Sequence, residues 1–448
     1  MRRSLFRRLL RRPADALPLA CALAAGAAGS AHAQSLIELY NAARPYDATY
    51  LAARAQADSA QYRAAQADAL RLPSLGLGAS YTDSDTDWRT RGATLRTHTT
   101  AAALNGRQTV FNRANDATIG QARVLLEASG AELETAEQDL VVRVAQAYFD
   151  VLAAQDTLST ARANKQAIGE QLASAKRNFE VGTATITDTR EAQARFDLAT
   201  SQELAADNDL RTKSVVLDQL VGRSNVQPDP LAQPVMLPEP RPADAEAWVN
   251  SAWQVHPGIR RAQAGLDNAK LETEKARAGH LPTVELVARF GGQRQRGNAA
   301  ELPGNSVPAT VGVEMNLPLF AGFSVQNRVK ETLSLEEKAR NDLEAARRAV
   351  ATATRTAYFQ VQSSLAQVRA LEAAETSSKL ALEATQLGYR VGVRVNLDVL
   401  NAQTQLFTTQ RDLAFARYNV LLGTLRLKQA AGQLGGEDLL AINALLTR

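Results

Sequence analysis

The apolar positions of this chain follow two periods. Over most of its length they recur at helical spacing. Leu140, Val144, Ala147, Val151, Ala154, Leu158 and Ala161 alternate steps of four and three; after Lys165 the series resumes at Ile168, Leu172, Ala175 and Phe179. Val399, Leu406, Leu413, Val420 and Leu427 recur every seven residues, as do Ala402, Thr409, Ala416, Gly423 and Ala430. Heptad seams so rich in small residues predict helices that pack closely, as coiled coils. The pattern gives medium helices over 36–70 and 243–279, very long ones over 113–178 and 323–387, and medium ones again over 188–222 and 397–432. At 1.5 Å per residue each long helix spans roughly 100 Å, the length of two medium helices end to end. A long helix beside a stacked pair is a rod.

Short stretches have period two. Over 307–319, VPATVGVEMNLPL, every odd position is apolar, which predicts a strand with one greasy face. Val284, Leu286, Ala288 and Phe290 give its partner, and Leu75, Leu77, Ala79 and Tyr81 a third strand. A fourth, about 98–110, alternates poorly. The hairpins are thus 74–110 and 283–319, with TDSDTDWRTRGATLR and GGQRQRGNAAELPGNS as polar loops. Strands of about ten residues, apolar on one face, suit a transmembrane barrel. An open sheet in lipid leaves N–H and C=O groups unpaired at several kcal/mol each, and four strands cannot close. Two chains would supply eight strands with a filled interior; three would supply twelve and a lumen. The alternative is a soluble periplasmic coiled-coil scaffold or adaptor whose hairpins pack on its own helices.

The chain is written twice. FEVGTATITDTREAQ at 179–193 and YRVGVRVNLDVLNAQ at 389–403 share a grammar at an offset of 210. At that offset Tyr148-Phe149 also pairs with Tyr358-Phe359, and Gly222 with Gly432; Leu72-Pro73 and Leu281-Pro282 pair at 209. The reading is two tandem structural repeats, 34–227 and 243–432. Between them lies a linker, 228–242, which holds six of the 15 prolines, and after them a C-terminal segment, 433–448. In the shared motif Gly182 and Gly392 take the place of the left-handed helix stop. Asp188 and Asp398 open the next helix at the positive end of its dipole, and Asp188 with Glu191 reads as a capping box. The motif is therefore a helix–turn–helix tip, with turns at 180–187 and 390–396.

Composition narrows the class. The net charge of +4 comes from residues 1–33, which carry six arginines and one acid; the rest holds 45 Lys+Arg against 46 Asp+Glu. No nucleic-acid partner is implied. The Arg-rich start, the apolar Ala16–Gly29 core and Ala31-His32-Ala33 make a secretory signal cleaved after Ala33. Cys21, the sole cysteine, falls within it. Nothing later reaches about 20 apolar residues, so no transmembrane helix is expected. The four histidines (32, 98, 256 and 280) have no ligand spacing. Asp83, Asp85 and Asp87 imitate a calcium loop, but its sixth and twelfth positions hold Trp88 and Thr94. No catalytic, metal or cofactor site is expected.

VGTATITD, HLPTVEL, LPLFAG (317–322), RVGVRVNLDVLNA and ARYNVLLGTLRLKQAAG, in this order along the two repeats, resemble the TolC-like outer-membrane channels, the exit ducts of efflux pumps and type I secretion. The resemblance implies a mainly α fold with a small β part. Three chains form a twelve-stranded outer-membrane barrel that continues into a periplasmic α-helical barrel. It implies a passive homotrimer in the outer membrane of a Gram-negative bacterium, with outer-membrane lipid around it. A periplasmic adaptor (membrane fusion) protein and an inner-membrane transporter of ABC, RND or MFS type are its implied partners. It also implies that the second-repeat tips converge at the periplasmic mouth, where Asp398 forms a three-carboxylate constriction and Asn401 stands where a second aspartate is usual. Two carboxylates about 6 Å apart repel by roughly 0.7 kcal/mol in water and about 3 kcal/mol at an effective dielectric of 20, so such a ring favours cations. The closed-state latch maps onto Thr187, Asp188, Tyr389, Arg394 and Gln171.

Overall fold

The computed structural model of the protein describes residues 34–88, 93–232, 234–298 and 304–447; the signal segment and the tips of both hairpins lie outside them. Helices α1 (Leu36–Ala43) and α2 (Ala48–Asp68) precede strands β1 (Ser74–Trp88) and β2 (Ala93–Phe111). Then come α3 (Arg113–Glu180) and α4 (Ile186–Val221). The second half repeats the order with α5 (Ala245–Val255), α6 (Pro257–Ala278), β3 (Thr283–Gly297), β4 (Gly304–Ser306), β5 (Ala309–Asn316), α7 (Ser324–Arg390), α8 (Asn396–Ala430) and α9 (Asp438–Asn443).

Both medium helices expected to open a repeat are broken, each by a proline. Pro45 ends α1, because its ring removes a donor and restricts the residue before it. Asp47 then caps α2, accepting from the Tyr50 amide at 2.7 Å. Pro257 occupies the first turn of α6, where a missing N–H costs nothing. His256 caps that helix, its Nδ1 accepting from the Gly258 amide at 3.0 Å. Only a neutral imidazole can accept, and burial also pushes the His256 pKa down.

The long helices carry the layer. Helix α3 packs on α2 and α4 along one flank and on α6 and α8 along the other; α7 packs on α6 and α8. The columns therefore run α2/α4, α3, α6/α8, α7, and the outer flanks of the first and last are open. The predicted seam residues Leu140, Val144, Ala147, Val151, Ala154 and Leu158 are buried, as are Val399, Leu406, Leu413, Val420 and Leu427. The largest core cluster joins α1, the middle of α3, the ends of α4 and α8, and α9 through Leu36, Leu140, Tyr148, Leu217, Leu421 and Leu439. The Pro-rich segment crosses this hub. Its Asp229 carbonyl accepts from the Tyr148 hydroxyl at 2.9 Å, and its Leu231 bridges to Leu446. Below the hub, the Tyr418 hydroxyl donates to Asp156 at 2.6 Å and ties α8 to α3. Burial raises the pKa of both groups. On the opposite face of α3, Arg143 makes a two-pronged bond to buried Asp47, 2.9 Å on each side, and holds that carboxyl below the usual range.

The strands form one antiparallel sheet in the order β1–β2–β3, with β4 and β5 in line along the far side of β3. Strand β2, weakest in alternation, is the longest strand. It pairs on both sides, and its ladder with β3 joins the two repeats. The expected loops are mostly strand. Residues 82–88 pair with 93–99, and β3 runs on to Gly297. Their threonines, glutamines and charges lack an apolar rhythm, yet the backbone ladder continues without one. Asp83, Asp85 and Asp87 accordingly lie on one face of β1, with His98 and Arg96 opposite the first two at 3.0 and 3.1 Å. The expected 307–319 strand is shorter. Pro308 separates β4 from β5, and β5 stops at Asn316, before Pro318, since proline gives the ladder no donor.

The apolar face of this sheet is bare. Leu77 is 79% and Val311 78% exposed, and Leu75, Leu286, Phe290, Val313 and Met315 stand open beside them. Among the described residues no helix covers them, contrary to the soluble alternative. The other face carries Ser80, Thr82, Asn105, Glu285 and Gln293, and Arg107 pairs there with Glu285 at 3.3 Å. Strands β1 and β5 are free edges. Among the described residues no helix is long and apolar enough to cross a membrane.

Candidate functional site: the paired helix tips

The two tips at the far end of the rod share one backbone. In the first, the Gly182 amide donates to the Phe179 carbonyl at 3.0 Å, and the Thr183 amide to Asn178 at 2.8 Å. In the second, Gly392 donates to Tyr389 at 3.1 Å and Val393 to Gly388 at 2.8 Å. This is the Schellman closure, which needs a left-handed residue just past the helix. Gly182 and Gly392 supply it with φ of 77° and 79°. A Cβ at either would meet nothing within 4 Å, so the glycines are required by torsion alone.

Beyond the glycine the copies part. In the first tip Thr185, not Asp188, is the N-cap. The Thr185 hydroxyl accepts from the Asp188 amide at 3.2 Å, and the Asp188 carboxylate accepts from the Thr185 amide at 3.0 Å and hydroxyl at 2.7 Å. The capping box is therefore Thr185/Asp188 and excludes Glu191. In the second tip Val395 holds the cap position, and its side chain has no oxygen to offer. Asp398 is thereby released from capping and lies 3.6 Å from the Arg394 guanidinium.

Three polar bonds join the second-repeat tip to the first. Gln171 donates to the Asn396 side-chain oxygen. Asn178 donates to the Tyr389 hydroxyl at 3.2 Å, and Arg195 to the Asn401 oxygen at 3.0 Å. Asn396 is 3% exposed, and its amide nitrogen has no partner. Leu400 of the second repeat seals the same place from beneath, packing with Ile168, Leu172, Ala175 and Ala192. Of the predicted latch, the structure brings Gln171 and Tyr389 into these bonds. Arg394 is engaged with Asp398, Asp188 is consumed by its own cap, and Thr187 stands exposed outside the set. Asn178, Asn396 and Arg195 were missed. The duplication held a signal for one of them: Asn396 is polar where the first repeat has Ile186. Around the tips Val181, Val391, Val393 and Val395 point into solvent, Val393 at 78% exposure.

A rod of coiled-coil helices capped by an open sheet with a bare apolar face defines the subunit of an outer-membrane channel. The family model described as "Outer membrane efflux protein" matches residues 39–223 and again 248–433, and the chain belongs to that family. It is 32% identical over 431 residues to outer membrane protein TolC of Vibrio cholerae, covering 96% of this chain and 98% of that one. It is 34% identical over 322 residues to the alkaline protease secretion protein AprF of Pseudomonas aeruginosa, covering 71% of this chain and 66% of AprF. Among solved structures it superposes on the outer membrane protein VceC of Vibrio cholerae with a TM-score of 0.75 at 21% identity, covering 89% and 96% of the two chains. The protein is thus an outer-membrane efflux or secretion channel of the TolC family, non-enzymatic, with a helical extension into the periplasm.

Proposed function

We propose that three copies of this chain close one passive duct, gated where the helix tips meet and fed through an adaptor docked on those tips. The observation that carries this reading is incompleteness at both ends. The sheet has two unpaired edges, β1 and β5, and the helical layer has two open flanks, α2/α4 and α7. The flanks carry exposed Tyr62, Leu204 and Val216 on one side and Leu333, Phe359 and Leu380 on the other. Adding a β5 edge to the next copy's β1 edge satisfies the backbone groups that lipid would punish, and the same rotation lays α7 on α2/α4. Three copies give twelve strands and an open lumen.

At the opposite end, Gln171–Asn396, Asn178–Tyr389 and Arg195–Asn401 hold each second-repeat tip onto its own first repeat, and this arrangement is the closed state. Asp398 lines the constriction, paired with Arg394. The exposed valines of both turns are the docking surface for the adaptor, which links the duct to an inner-membrane transporter. Cargo, pump type and the source of energy belong to those partners. The test is the mass of the detergent-solubilised mature protein by light scattering, together with its conductance in planar bilayers. A trimer with low resting conductance is expected. A monomer, or a trimer that stands fully open, overturns the proposal.

A further inference from the structure

The strand register places a band of charge directly above the lipid-facing apolar band, on the same face. On β3 the outward residues run Val284, Leu286, Ala288, Phe290, Gly292, Arg294, Arg296. Across the ladder Leu104 faces Phe290, Ala102 faces Gly292, Thr100 faces Arg294 and His98 faces Arg296. The apolar stretch from Val284 to Gly292 rises about 26 Å along the strand at 3.3 Å per residue, or about 20 Å of height at a barrel's tilt of about 40°, so that Arg294, two residues on, comes at the top of a greasy belt about 25 Å tall. The two arginines therefore stand at the level of the outer-leaflet headgroups.

Two further observations make this a site. Arg294 and Arg296 have no hydrogen bond or ion pair among the described residues, whereas their neighbours Arg96 and His98 are already paired with Asp85 and Asp83. Beneath Arg294 the sheet is dented. A groove of about 620 Å³ is floored by Ala79, Ala102 and Gly292 and rimmed by Tyr81, Val307 and Arg294. Small residues on three adjacent strands leave a shallow, open trough with the Arg294 guanidinium at its rim and Arg296 two residues further along the strand.

We infer that this groove binds a phosphorylated lipid of the outer leaflet, one per protomer. An acyl chain lies along Ala79–Ala102–Gly292, and a headgroup phosphate is clamped by Arg294 and Arg296. Guanidinium suits phosphate because its planar fork donates two parallel bonds, and basic recesses at membrane level select anionic headgroups. The lipid rather than free phosphate is the ligand, because the apolar trough and the cations are continuous. The inference rests on the sheet being the membrane segment and is independent of the tip gate.

Native mass spectrometry of the detergent-solubilised channel, titrated with lipid A, with dephosphorylated lipid A and with inorganic phosphate, tests it. Lipid A should be retained and the dephosphorylated form should not; inorganic phosphate alone should neither bind nor displace it. Each arginine should count for about fivefold, so R294Q/R296Q should weaken retention roughly 30-fold. R289Q, on the opposite face of β3, should leave it unchanged. Equal retention of both lipids by the unaltered channel overturns the proposal without recourse to any variant. So does displacement by inorganic phosphate, or an R294Q/R296Q channel that binds as the parent does.

Discussion

Gln171→Ala is the sharpest probe of the tip contact. The substitution removes a donor from the buried Asn396 oxygen, and the Asn396 nitrogen already lacks a partner. The amide would then be wholly unpaired inside the closed tip and hydrated once the tip swings away. A lost hydrogen bond is worth about 1 kcal/mol net, and an orphaned buried polar group costs about 1–3 kcal/mol more. A shift of about 2 kcal/mol per tip, over three tips moving together, is roughly 6 kcal/mol, or about 10⁴-fold toward open. Planar-bilayer recording should show a channel that is closed at rest become open most of the time. The decisive variant is the double one. Gln171→Ala with Asn396→Leu deletes both partners and the orphan, and such replacements are near neutral, so closure should return. If the single variant rests as closed as the parent, or the double variant is more open than the single, the bridge does not latch the tip.

Three other outcomes follow from the same geometry. Asp398→Ala leaves Arg394 uncompensated, so reversal potentials in salt gradients should move from cation toward anion preference, while Arg394→Ala should strengthen cation preference. Gly392→Ala must place a Cβ at φ 79°, at a cost of about 1–2 kcal/mol; hydrogen exchange of the 388–396 amides should quicken while the sheet stays unchanged, and Gly182→Ala should do the same at its own tip. His256 must be neutral to cap α6, and its folded pKa lies below its ordinary value. Its contribution is therefore complete above about pH 6.5 and is lost as pH falls through the folded pKa. The thermal midpoint should drop on acidification below that point, and His256→Asn, which caps without titrating, should flatten the dependence.

Much of this was legible because the rod is built from long periodic segments. Most heptad residues that define the seams are buried, although Phe179, the last of the first series, is 42% exposed beside its tip, and the greasy faces of Leu75–Tyr81 and Val307–Met315 are the ones left bare. Legibility failed where hydrophobic rhythm stops carrying information. Strand β2 and the upper halves of β1 and β3 are held by backbone ladders whose side chains meet water, headgroups or a lumen, so alternation fades while pairing continues. The broken opening helices were marked by Pro45 and Pro257, with the local caps Asp47 and His256 beside them. The tip bonds were least legible of all. Asn178 and Arg195 are unremarkable on their own helices and acquire partners only when the second repeat is laid against the first.

The duplication explains how the tips can differ in side-chain bonding while sharing a shape. The closure needs only a glycine with positive φ and carbonyls at fixed offsets, and both copies keep these at 182 and 392. Side chains around the turn are then free to diverge. Val395 stands where the first tip has Thr185, which frees Asp398 from the cap that holds Asp188. Arg394 stands in place of Ala184 and gives the freed carboxylate a partner. Asn396 stands in place of the exposed Ile186 and makes a polar bridge to Gln171. Two of these differences cost the second tip some stability, since it lacks a side-chain cap and buries an amide half satisfied. A tip that only had to stay folded would gain nothing from them. A tip that must leave its neighbour and return benefits when most of its contact is polar bonds, because water can replace these on opening and only the apolar seat of Leu400 has to be pulled apart.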